Sequence, residues 1–199
     1  MYFRSVEIGN FNSANMPDNA IELWTIGHST RLIEELIEAL KSFQIESLVD
    51  VRSFPGSRRY PQFGTTRLSE SLRQANIEYL HLPELGGRRR ARKDSLNIAW
   101  RNEGFRGYAD YMETEAFRQG IERLLALSRD RRLVIMCAEA VWWRCHRSLI
   151  SDYLKVKGVE VAHVIDATHS QPHPFTSAAQ IIDGQLSYRG LLGEQETHL

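Results

Sequence analysis

Short apolar runs alternate along the chain with longer segments in which apolar residues recur every three to four positions. The short runs predict five buried β-strands, at residues 22–28, 47–52, 78–82, 132–137 and 159–165. The longer segments predict helices, one capped by Ser29 and Thr30, one around residues 68–75, and two over residues 107–128 and 145–157. Residues 169–174 are predicted as a loop, and Asp183 with Gly184 predicts a hairpin turn.

This alternation predicts an α/β fold: a three-layer, mostly parallel, five-stranded open sheet with helices on both faces and a small C-terminal hairpin. A length of 199 residues favours one domain. We therefore expect a poorly structured N-terminal segment over residues 1–20 and a single α/β domain over residues 21–199.

Composition narrows the class of protein. Hydrophobic residues make up 42% and charged residues 25% of the chain, which excludes wholesale disorder. A run of roughly 18 apolar residues is absent, so no transmembrane helix is expected. The N-terminal residues lack the apolar segment of a secretory signal, and two cysteines do not make a secreted disulfide scaffold. A cytoplasmic protein without a membrane partner is the expectation.

The formal net charge is zero, yet the positive residues are unevenly placed. Of the 25 cationic residues 21 are arginine, whose planar fork of donors suits phosphate and carboxylate groups. Residues 52–106 hold eleven arginines and one lysine against five acidic residues. Aromatic residues alternate with arginine over residues 52–63, a combination typical of nucleic-acid or nucleotide binding. A solvated basic loop that balances acidic residues elsewhere is the alternative explanation.

Ionisable residues follow the ends of the predicted strands. Ligands of open α/β sheets bind at the carboxyl ends of the strands, so these residues are the candidates for chemistry. We predict that Glu139 and Asp50 perform acid–base chemistry and that His28 and His146 orient groups or transfer protons. The alternative for Glu139 is an ion pair with an arginine that only orders its loop.

A second group of residues near the same strand ends is predicted to bind the substrate. These residues are Arg52, Arg58, Arg59, Tyr60, His81, Glu84, Cys137, Trp142 and Arg147. We expect their ligand to be a phosphate-bearing molecule, either a nucleic acid or a nucleotide. No cofactor is required, although Asp50 and Glu139 together would suit a divalent metal, Mg²⁺, in the substrate complex.

Residues 137–147 form a predicted strand, loop and helix N-terminus, a geometry that presents backbone N–H groups to an anion. Cys-x5-Arg phosphatases and rhodanese-type sulfurtransferases carry a nucleophilic cysteine in such a loop. The spacing differs here, because Trp143 and not arginine follows Cys137 by six residues. A buried strand residue is therefore the favoured role of Cys137, and a cysteine-dependent sulfur or phosphoryl transferase is an alternative.

A zinc site built on Cys137, Cys145 and a histidine is disfavoured by the sequence. Structural zinc sites use cysteine pairs about two to four residues apart, and a second pair is absent from the chain. The adjacent residues Cys145 and His146 are also not expected to point at one ion. The sequence therefore predicts no metal bound by the protein alone.

Four motifs occur in order: TIGHST at residues 25–30, LVDVRSFP at 48–55, YLHLPELGG at 79–87, and the pair MCAE and CHR within 136–147. Together they resemble the bacterial and archaeal domain-of-unknown-function 488 family over residues 22–168. The resemblance implies a cytosolic, single-domain α/β protein, and it implies no particular reaction. Its motif positions are His28, Asp50, Arg52, Pro55, His81, Glu84, Gly86, Gly87, Cys137, Glu139, Cys145, His146 and Arg147.

The leading hypothesis is an anion-binding α/β enzyme of hydrolase type that acts on a nucleic acid or nucleotide by carboxylate acid–base chemistry. A non-catalytic module that binds nucleic acid or a protein is the main alternative. Substitution of Glu139 or Asp50 separates the two hypotheses, since only an enzyme would lose turnover.

Overall fold

A computed structural model describes residues 22–56 and 59–190. Its strands are β1 (Glu22–Gly27), β2 (Ser47–Asp50), β3 (Glu78–His81), β4 (Leu133–Cys137), β5 (Glu160–Val164), β6 (Ser170–Pro172), β7 (Gln180–Ile182) and β8 (Gln185–Ser187). Its helices are α1 (Ile33–Ser42), α2 (Thr65–Gln74), α3 (Glu103–Met112), α4 (Glu115–Ser128) and α5 (Arg147–Val156). The segment 1–20, predicted to be poorly structured, lies outside the described residues.

Six strands form one mixed sheet in the order β3-β2-β4-β1-β5-β6. The first five pair in parallel, and β6 runs antiparallel to β5 at one edge. The α/β prediction is confirmed, and each of the five predicted strands is present. The strand count is one short, because β6 lies inside the predicted loop 169–174. Its residues, Ser-Gln-Pro, have no apolar pattern and become a strand through their pairing with β5.

Helices cover both faces of the sheet, as the three-layer prediction requires. Leu36 of α1 and Leu68 of α2 are fully buried in the apolar core on one face. Tyr108 of α3, Phe117 of α4 and Leu149 of α5 are fully buried in the core on the other face. Burial of each such side chain contributes about 1.5–3 kcal/mol to the free energy of unfolding. None of the described helices is both long and apolar enough to cross a membrane.

The helix predicted over residues 107–128 is wrong as a single element, because the structure has two helices there. The hydroxyl of Thr114 accepts a hydrogen bond from the backbone N–H of Phe117 (3.3 Å) and caps α4. Asn102 caps α3 in the same way, accepting from the N–H of Gly104 (2.9 Å). Both helices bury residues in the same apolar core, so the apolar pattern runs on through the break.

Two other predicted helix starts are also corrected. The first helix is not capped by Ser29 and Thr30, since α1 begins at Ile33 and the carboxylate of Glu35 accepts from the N–H of Leu32 (2.8 Å). The helix predicted from residue 145 begins at Arg147, and a 3-10 turn (Trp142–Arg144) precedes it. That turn shortens the helix and shapes the loop that leaves β4.

The predicted hairpin is confirmed. β7 and β8 pair antiparallel on either side of Asp183 and Gly184. These two residues have φ angles of 50° and 72°, and a two-residue type I′ turn requires positive φ at both positions.

The strands β2 and β4 are neighbours whose following helices lie on opposite faces of the sheet. The loop after β2 leads to α2, whereas the loop after β4 leads to α5. Because the two loops leave in opposite directions, a crevice forms at the carboxyl ends of these strands. The fold therefore provides a place for a ligand at the edge where the sequence places most of its ionisable residues.

Candidate functional site

A cavity of about 480 Å³ opens at the carboxyl ends of β2 and β4. Its wall is formed by the loop after β2, by Gly87 and Arg88, by the start of α3, and by the loop between β4 and α5. Arg52, Arg88 and Arg144 contribute positive charge to the lining, and Glu139 is the one carboxylate among the described residues that form it. The cavity therefore favours an anionic ligand.

Three side chains that bind metals in other proteins meet in this lining: Cys137, Cys145 and His146, here called the sulfur cluster. Nδ1 of His146 lies 3.6 Å from Sγ of Cys145 and 3.9 Å from Sγ of Cys137. The expectation that adjacent Cys145 and His146 would not point at one position is wrong. The backbone changes from extended at Cys145 to helical at His146, and this change brings the two side chains together.

Packing fixes the ring of His146. Gly87 lies so close to the ring that a Cβ at that position would stand 2.3 Å from Nδ1. The ring of Tyr108 lies on it with a centroid distance of 5.0 Å. Nε2 of His146 is buried and has no hydrogen-bond partner among the described residues. Neighbouring groups, rather than a strong hydrogen bond, therefore aim Nδ1 at the two sulfur atoms.

A buried arginine that does not line the cavity contacts the sulfur cluster. The guanidinium of Arg147 donates to Sγ of Cys145 (3.4 Å), to the hydroxyl of Thr25 (3.4 Å) and to the carbonyl of Glu139 (2.6 Å). None of these three acceptors is a carboxylate, although only 1% of the Arg147 side chain is exposed. A buried positive charge favours an anion next to it, and the nearest group able to ionise is the Cys145 thiol.

The two thiols differ in acidity. Burial alone raises the pKa of Cys145, but hydrogen bonds from Cys137 and His146 and the positive charge of Arg147 hold that pKa well below its usual value. The hydrogen bond to Cys145, together with burial, raises the pKa of Cys137 well above its usual value. Of the two thiols, that of Cys145 is therefore the more acidic.

Arg52 is held by the carboxylate of Asp50. Nε of Arg52 donates to Oδ1 of Asp50 (2.8 Å) and Nη2 donates to Oδ2 (2.5 Å), while the Arg52 backbone N–H also donates to Oδ1 (3.0 Å). The hydroxyl of Tyr79 donates to Oδ2 (2.9 Å), and burial raises the pKa of that hydroxyl to about 12. Asp50 is fully buried, so its observed role is to position Arg52 at the cavity wall.

His28 is part of the same arrangement. Its Nε2 accepts from Nη1 of Arg52 (3.2 Å), and its Nδ1–H donates to the carbonyl of Ser29 (3.0 Å). Burial, with the charge of Arg52, lowers the pKa of His28 to about 4. The ring also stacks on Phe63 with a centroid distance of 4.2 Å. His28 is therefore neutral near pH 7 and has both nitrogens engaged.

The structure brings four of the predicted site residues into the cavity lining: Arg52, Cys137, Glu139 and His146. Eight other predicted residues do not belong to that lining: His28, Asp50, Arg59, Tyr60, His81, Glu84, Trp142 and Arg147. The remaining predicted residue, Arg58, lies outside the described residues.

Three predicted residues that do not line the cavity make contacts elsewhere in the protein. His81 donates from Nε2 to the carbonyl of Arg52 (2.8 Å), which holds the loop after β2. Glu84 forms an ion pair with Arg123 on α4 (3.2 Å). The guanidinium of Arg59 lies over the ring of Tyr60, 5.5 Å from its centroid.

A second buried cluster of polar side chains lies next to the sulfur cluster. Oγ1 of Thr25 lies 2.7 Å from Nδ1 of His163, Nε2 of His163 lies 2.9 Å from Nδ1 of His173, and Nε2 of His173 lies 3.0 Å from Oδ1 of Asp152. We call these four residues the histidine relay. Trp142 stacks on His163, with ring centroids 4.3 Å apart. Burial, followed by the charges of His173 and Arg147, lowers the pKa of His163 to about 2.

Asp152 anchors the C-terminal segment to α5. Besides His173, its carboxylate accepts from the backbone N–H of Thr176 (2.9 Å), from the Thr176 hydroxyl (2.6 Å) and from the Tyr188 hydroxyl (2.8 Å). The relay joins the sulfur cluster through Arg147, which contacts both Thr25 and Cys145. The relay was not predicted from the sequence, because its members are far apart along the chain.

Some cavity residues were absent from the predicted site. They are Ser53, Phe54, Gly87, Arg88, Asn102, Gly104, Phe105, Ala138, Arg144 and Cys145. Most of these residues had a signal in the sequence. Ser53, Phe54, Gly87, Ala138 and Cys145 lie in the four motifs, and Arg88 opens the basic run 88–93. Phe105 follows that run as an aromatic residue, but its place at the cavity depends on how α3 packs.

The model of the family described as "Domain of unknown function DUF488" matches residues 32–154. This is more than half of the chain, so the chain belongs to that family, as its four motifs predict. No curated protein and no solved structure matches the chain. Every residue that lines the cavity lies within the matched segment.

Proposed function

We propose that this member of the DUF488 family is an enzyme of hydrolase type that acts on a phosphate-bearing substrate, a nucleotide or a nucleic acid. The observation that carries the proposal is the cavity at the carboxyl ends of β2 and β4, where three arginines lie with one glutamate. The two cysteines are unpaired, which suits a reducing compartment such as the cytoplasm.

Two of the arginines are available to an anion. Arg88 and Arg144 are exposed, and neither forms an ion pair with another described residue. A guanidinium binds phosphate oxygens through two parallel N–H bonds, which gives both charge and orientation. Arg52, fixed by Asp50, adds a positive charge that stays in place when the substrate leaves. These residues support a phosphate group as the part of the substrate that the cavity recognises.

Aromatic residues at the cavity support a nucleobase as a second part of the substrate. Phe54 lines the cavity with 73% of its side chain exposed, which is unfavourable for phenylalanine without a ligand. Phe105 lines the cavity at the start of α3 and is half-buried. Stacking of a base on an aromatic side chain contributes about 1–3 kcal/mol to binding.

Glu139 is the residue that we assign to acid–base chemistry. It is exposed in the cavity, while its backbone carbonyl is held by Arg147. Its carboxylate would take a proton from the attacking water, whose oxygen forms a bond to phosphorus. The bond from phosphorus to the leaving oxygen then breaks, and that oxygen takes the proton from Glu139. We assign Asp50 and His28 to the positioning of Arg52, because their polar atoms are engaged with it.

A cysteine-dependent transferase is a second candidate, because Cys145, the more acidic of the two thiols, lies in the cavity lining. Its sulfur would form a bond to the transferred group while the bond from that group to the donor breaks and the donor fragment leaves. An acceptor would then form a bond to the group, the bond to sulfur would break, and the thiolate would be regenerated. This candidate predicts that Cys145 reacts rapidly with iodoacetamide at neutral pH, and that phosphate protects it.

The test is a panel of p-nitrophenyl phosphate, nucleotides and single-stranded oligonucleotides, assayed for hydrolysis. We expect turnover on at least one member and a loss of roughly 10²–10⁴-fold in Glu139→Gln, as for other acid–base groups. Glu122→Gln, an exposed substitution on α4, is the matched control and should retain full activity.

Equal turnover in Glu139→Gln and the parent protein would remove Glu139 from the mechanism. Binding of an oligonucleotide without turnover of any member would support the non-catalytic module instead.

A further inference from the structure

We propose that Cys137, Cys145 and His146 bind one zinc ion whose fourth coordination position opens into the cavity. The sequence disfavours a zinc site, in part because adjacent Cys145 and His146 are not expected to point at one ion. In the folded chain the ligand atoms of these two residues do lie close together. Two thiolates and one imidazole are a ligand set that zinc uses in catalytic sites.

The distances within the sulfur cluster fit a tetrahedral ion. With Zn–S near 2.3 Å and Zn–N near 2.05 Å, tetrahedral geometry separates sulfur from nitrogen by about 3.6 Å and sulfur from sulfur by about 3.8 Å. The observed separations of Nδ1 from the two sulfurs are 3.6 Å and 3.9 Å. All three ligand atoms lie within 4.8 Å of one another. The side chains therefore need only small movements to close on one ion.

The sulfur cluster supplies three of the four ligands of a tetrahedral zinc ion. Among residues 22–56 and 59–190, the cluster contains no fourth histidine, cysteine or carboxylate. Structural zinc sites are closed by four protein ligands, whereas catalytic sites keep one position for water or substrate. All three ligands also line the 480 Å³ cavity, so a ligand in that cavity reaches the ion. The arrangement therefore matches a catalytic zinc site, in which one coordination position is open to water or substrate.

The surroundings are those of a metal site. His146 is 91% buried by its neighbours, and its Nδ1 points between the two sulfurs. Arg147 donates to Sγ of Cys145, as outer partners donate to metal-bound thiolates. Zinc with two thiolates and a neutral imidazole carries no net charge, so Arg147 remains as a positive charge beside the ion. An anionic substrate or a bound hydroxide would complement it.

The role of the ion rests on the proposed function, although the binding itself does not. A water in the fourth position becomes acidic enough to lose a proton near neutral pH. The proton goes to Glu139, the hydroxide oxygen forms the bond to phosphorus, and the leaving oxygen departs with the proton from Glu139. Zinc keeps its charge throughout, so no oxidant or reductant is needed.

The experiment uses full-length protein without an affinity tag, stripped with a chelator and titrated with Zn²⁺ or Co²⁺. We expect one metal per chain, and Co²⁺ should give a thiolate-to-metal charge-transfer band with the strong visible absorption of a tetrahedral ion. Cys145→Ser and His146→Ala should each weaken binding by more than about 100-fold, beyond the 10–100-fold typical of residues that only support a ligand. His169→Gln, which alters an exposed histidine, should leave binding unchanged.

A second pair of variants keeps all three ligands. Gly87→Ala places a methyl group 2.3 Å from Nδ1 of His146 and should weaken Co²⁺ binding and change its visible spectrum. Gly56→Ala is the matched control, since a Cβ there meets nothing within 4 Å. Circular dichroism of each variant shows whether the fold is kept.

Three results would overturn the proposal: a stripped protein that binds no Co²⁺, a Co²⁺ complex without the charge-transfer band, or unchanged binding in folded Cys145→Ser. Metal binding without hydrolysis of any phosphate ester would support the zinc site and contradict the proposed function. Hydrolysis that persists fully after metal removal would support the proposed function and contradict the catalytic role of zinc.

Discussion

Two buried clusters lie side by side in this protein and differ in how completely their polar atoms are paired. In the histidine relay, the carboxylate of Asp152 accepts four hydrogen bonds, and both histidines are bonded at both nitrogens. In the sulfur cluster, the hydrogen-bond partners of Nδ1 of His146 among the described residues are two sulfur atoms at 3.6 Å and 3.9 Å, and its Nε2 has no partner there. The relay is closed, whereas the sulfur cluster opens on the cavity.

The difference predicts a structural role for the relay and a role in ligand binding for the sulfur cluster. Buried polar groups that are fully bonded order a core, and the loss of one partner leaves the others unpaired at a cost in stability. Incomplete bonding of a buried polar cluster departs from this rule, and such departures are expected mainly at functional or strained sites. Substitutions in the relay should therefore act on the free energy of unfolding, and substitutions in the sulfur cluster should act on ligand binding.

The largest expected effect is that of Asp152→Ala on stability. The substitution leaves the donors of His173, Thr176 and Tyr188 without their acceptor, and we expect a loss of about 3–5 kcal/mol in the free energy of unfolding. Urea denaturation measures this loss. Asp130→Ala, in an exposed turn, is the control and should change stability little. A loss no larger than that of the control would show that the relay does not stabilise the fold.

The relay should also make stability depend on pH. The pKa of His163 is about 2 in the folded protein against an ordinary value of 6.5, so below pH 6.5 the unfolded chain binds a proton that the folded chain does not. Stability is therefore lost as the pH falls through 6.5, by about 2 kcal/mol from this group between pH 6.5 and 4.5. His28, with a pKa of about 4, adds a loss of the same sign.

His163→Gln isolates the contribution of His163, because glutamine does not titrate. The variant should lose less stability on acidification than the parent protein when both are unfolded by urea at a series of pH values. Parallel curves for the two proteins would mean that His163 is not the group responsible.

A smaller effect on stability is expected for the sulfur cluster. In metal-free protein, Cys145→Ala should cost about 1–2 kcal/mol, because buried Arg147 loses its contact with Sγ of Cys145 but keeps its hydrogen bonds to Thr25 and to the carbonyl of Glu139. The same urea titration compares it with Asp152→Ala. A loss as large as that of Asp152→Ala would contradict the distinction between the two clusters.

The smallest expected effect concerns a single exposed arginine at the cavity. If Arg144 contacts a phosphate of a single-stranded oligonucleotide, Arg144→Ala should reduce the slope of log K against log salt by about 0.7. Fluorescence anisotropy over a range of salt concentrations measures the slope. Arg129→Ala, beyond the end of α4 and before β4, lies at the opposite edge of the sheet and should leave the slope unchanged. Equal slopes in all three proteins would place Arg144 outside the binding surface.

The strands and the layer order could be predicted from the sequence because each depends on residues close together in the chain. The run Leu-Val-Ile-Met-Cys of β4 is apolar throughout, and a central strand covered on both faces needs that pattern. The break at Thr114 could not be predicted in the same way. Both α3 and α4 bury apolar residues in one core, so periodicity alone does not show where one helix ends.

The residues of the candidate site could likewise be predicted only in part. The sequence placed Arg52, Glu139, Cys137 and His146 near the strand ends, and these four do line one cavity. It placed Asp50 there too, but Asp50 is buried against Arg52, two residues further on. A strand end delivers several polar groups to one edge, and only side-chain packing decides which of them face the cavity and which hold their neighbours.

The α/β architecture, the family and the edge of the sheet that holds the polar residues could therefore be predicted from patterns along the chain. The folded structure shows which of those residues share a cavity, that Cys145 and His146 converge, and that Asp152 closes a relay with His163 and His173. These contacts could not be predicted, because apolar periodicity reports contacts within one helix or strand, whereas a hydrogen bond such as that between Thr25 and His163 joins residues 138 positions apart.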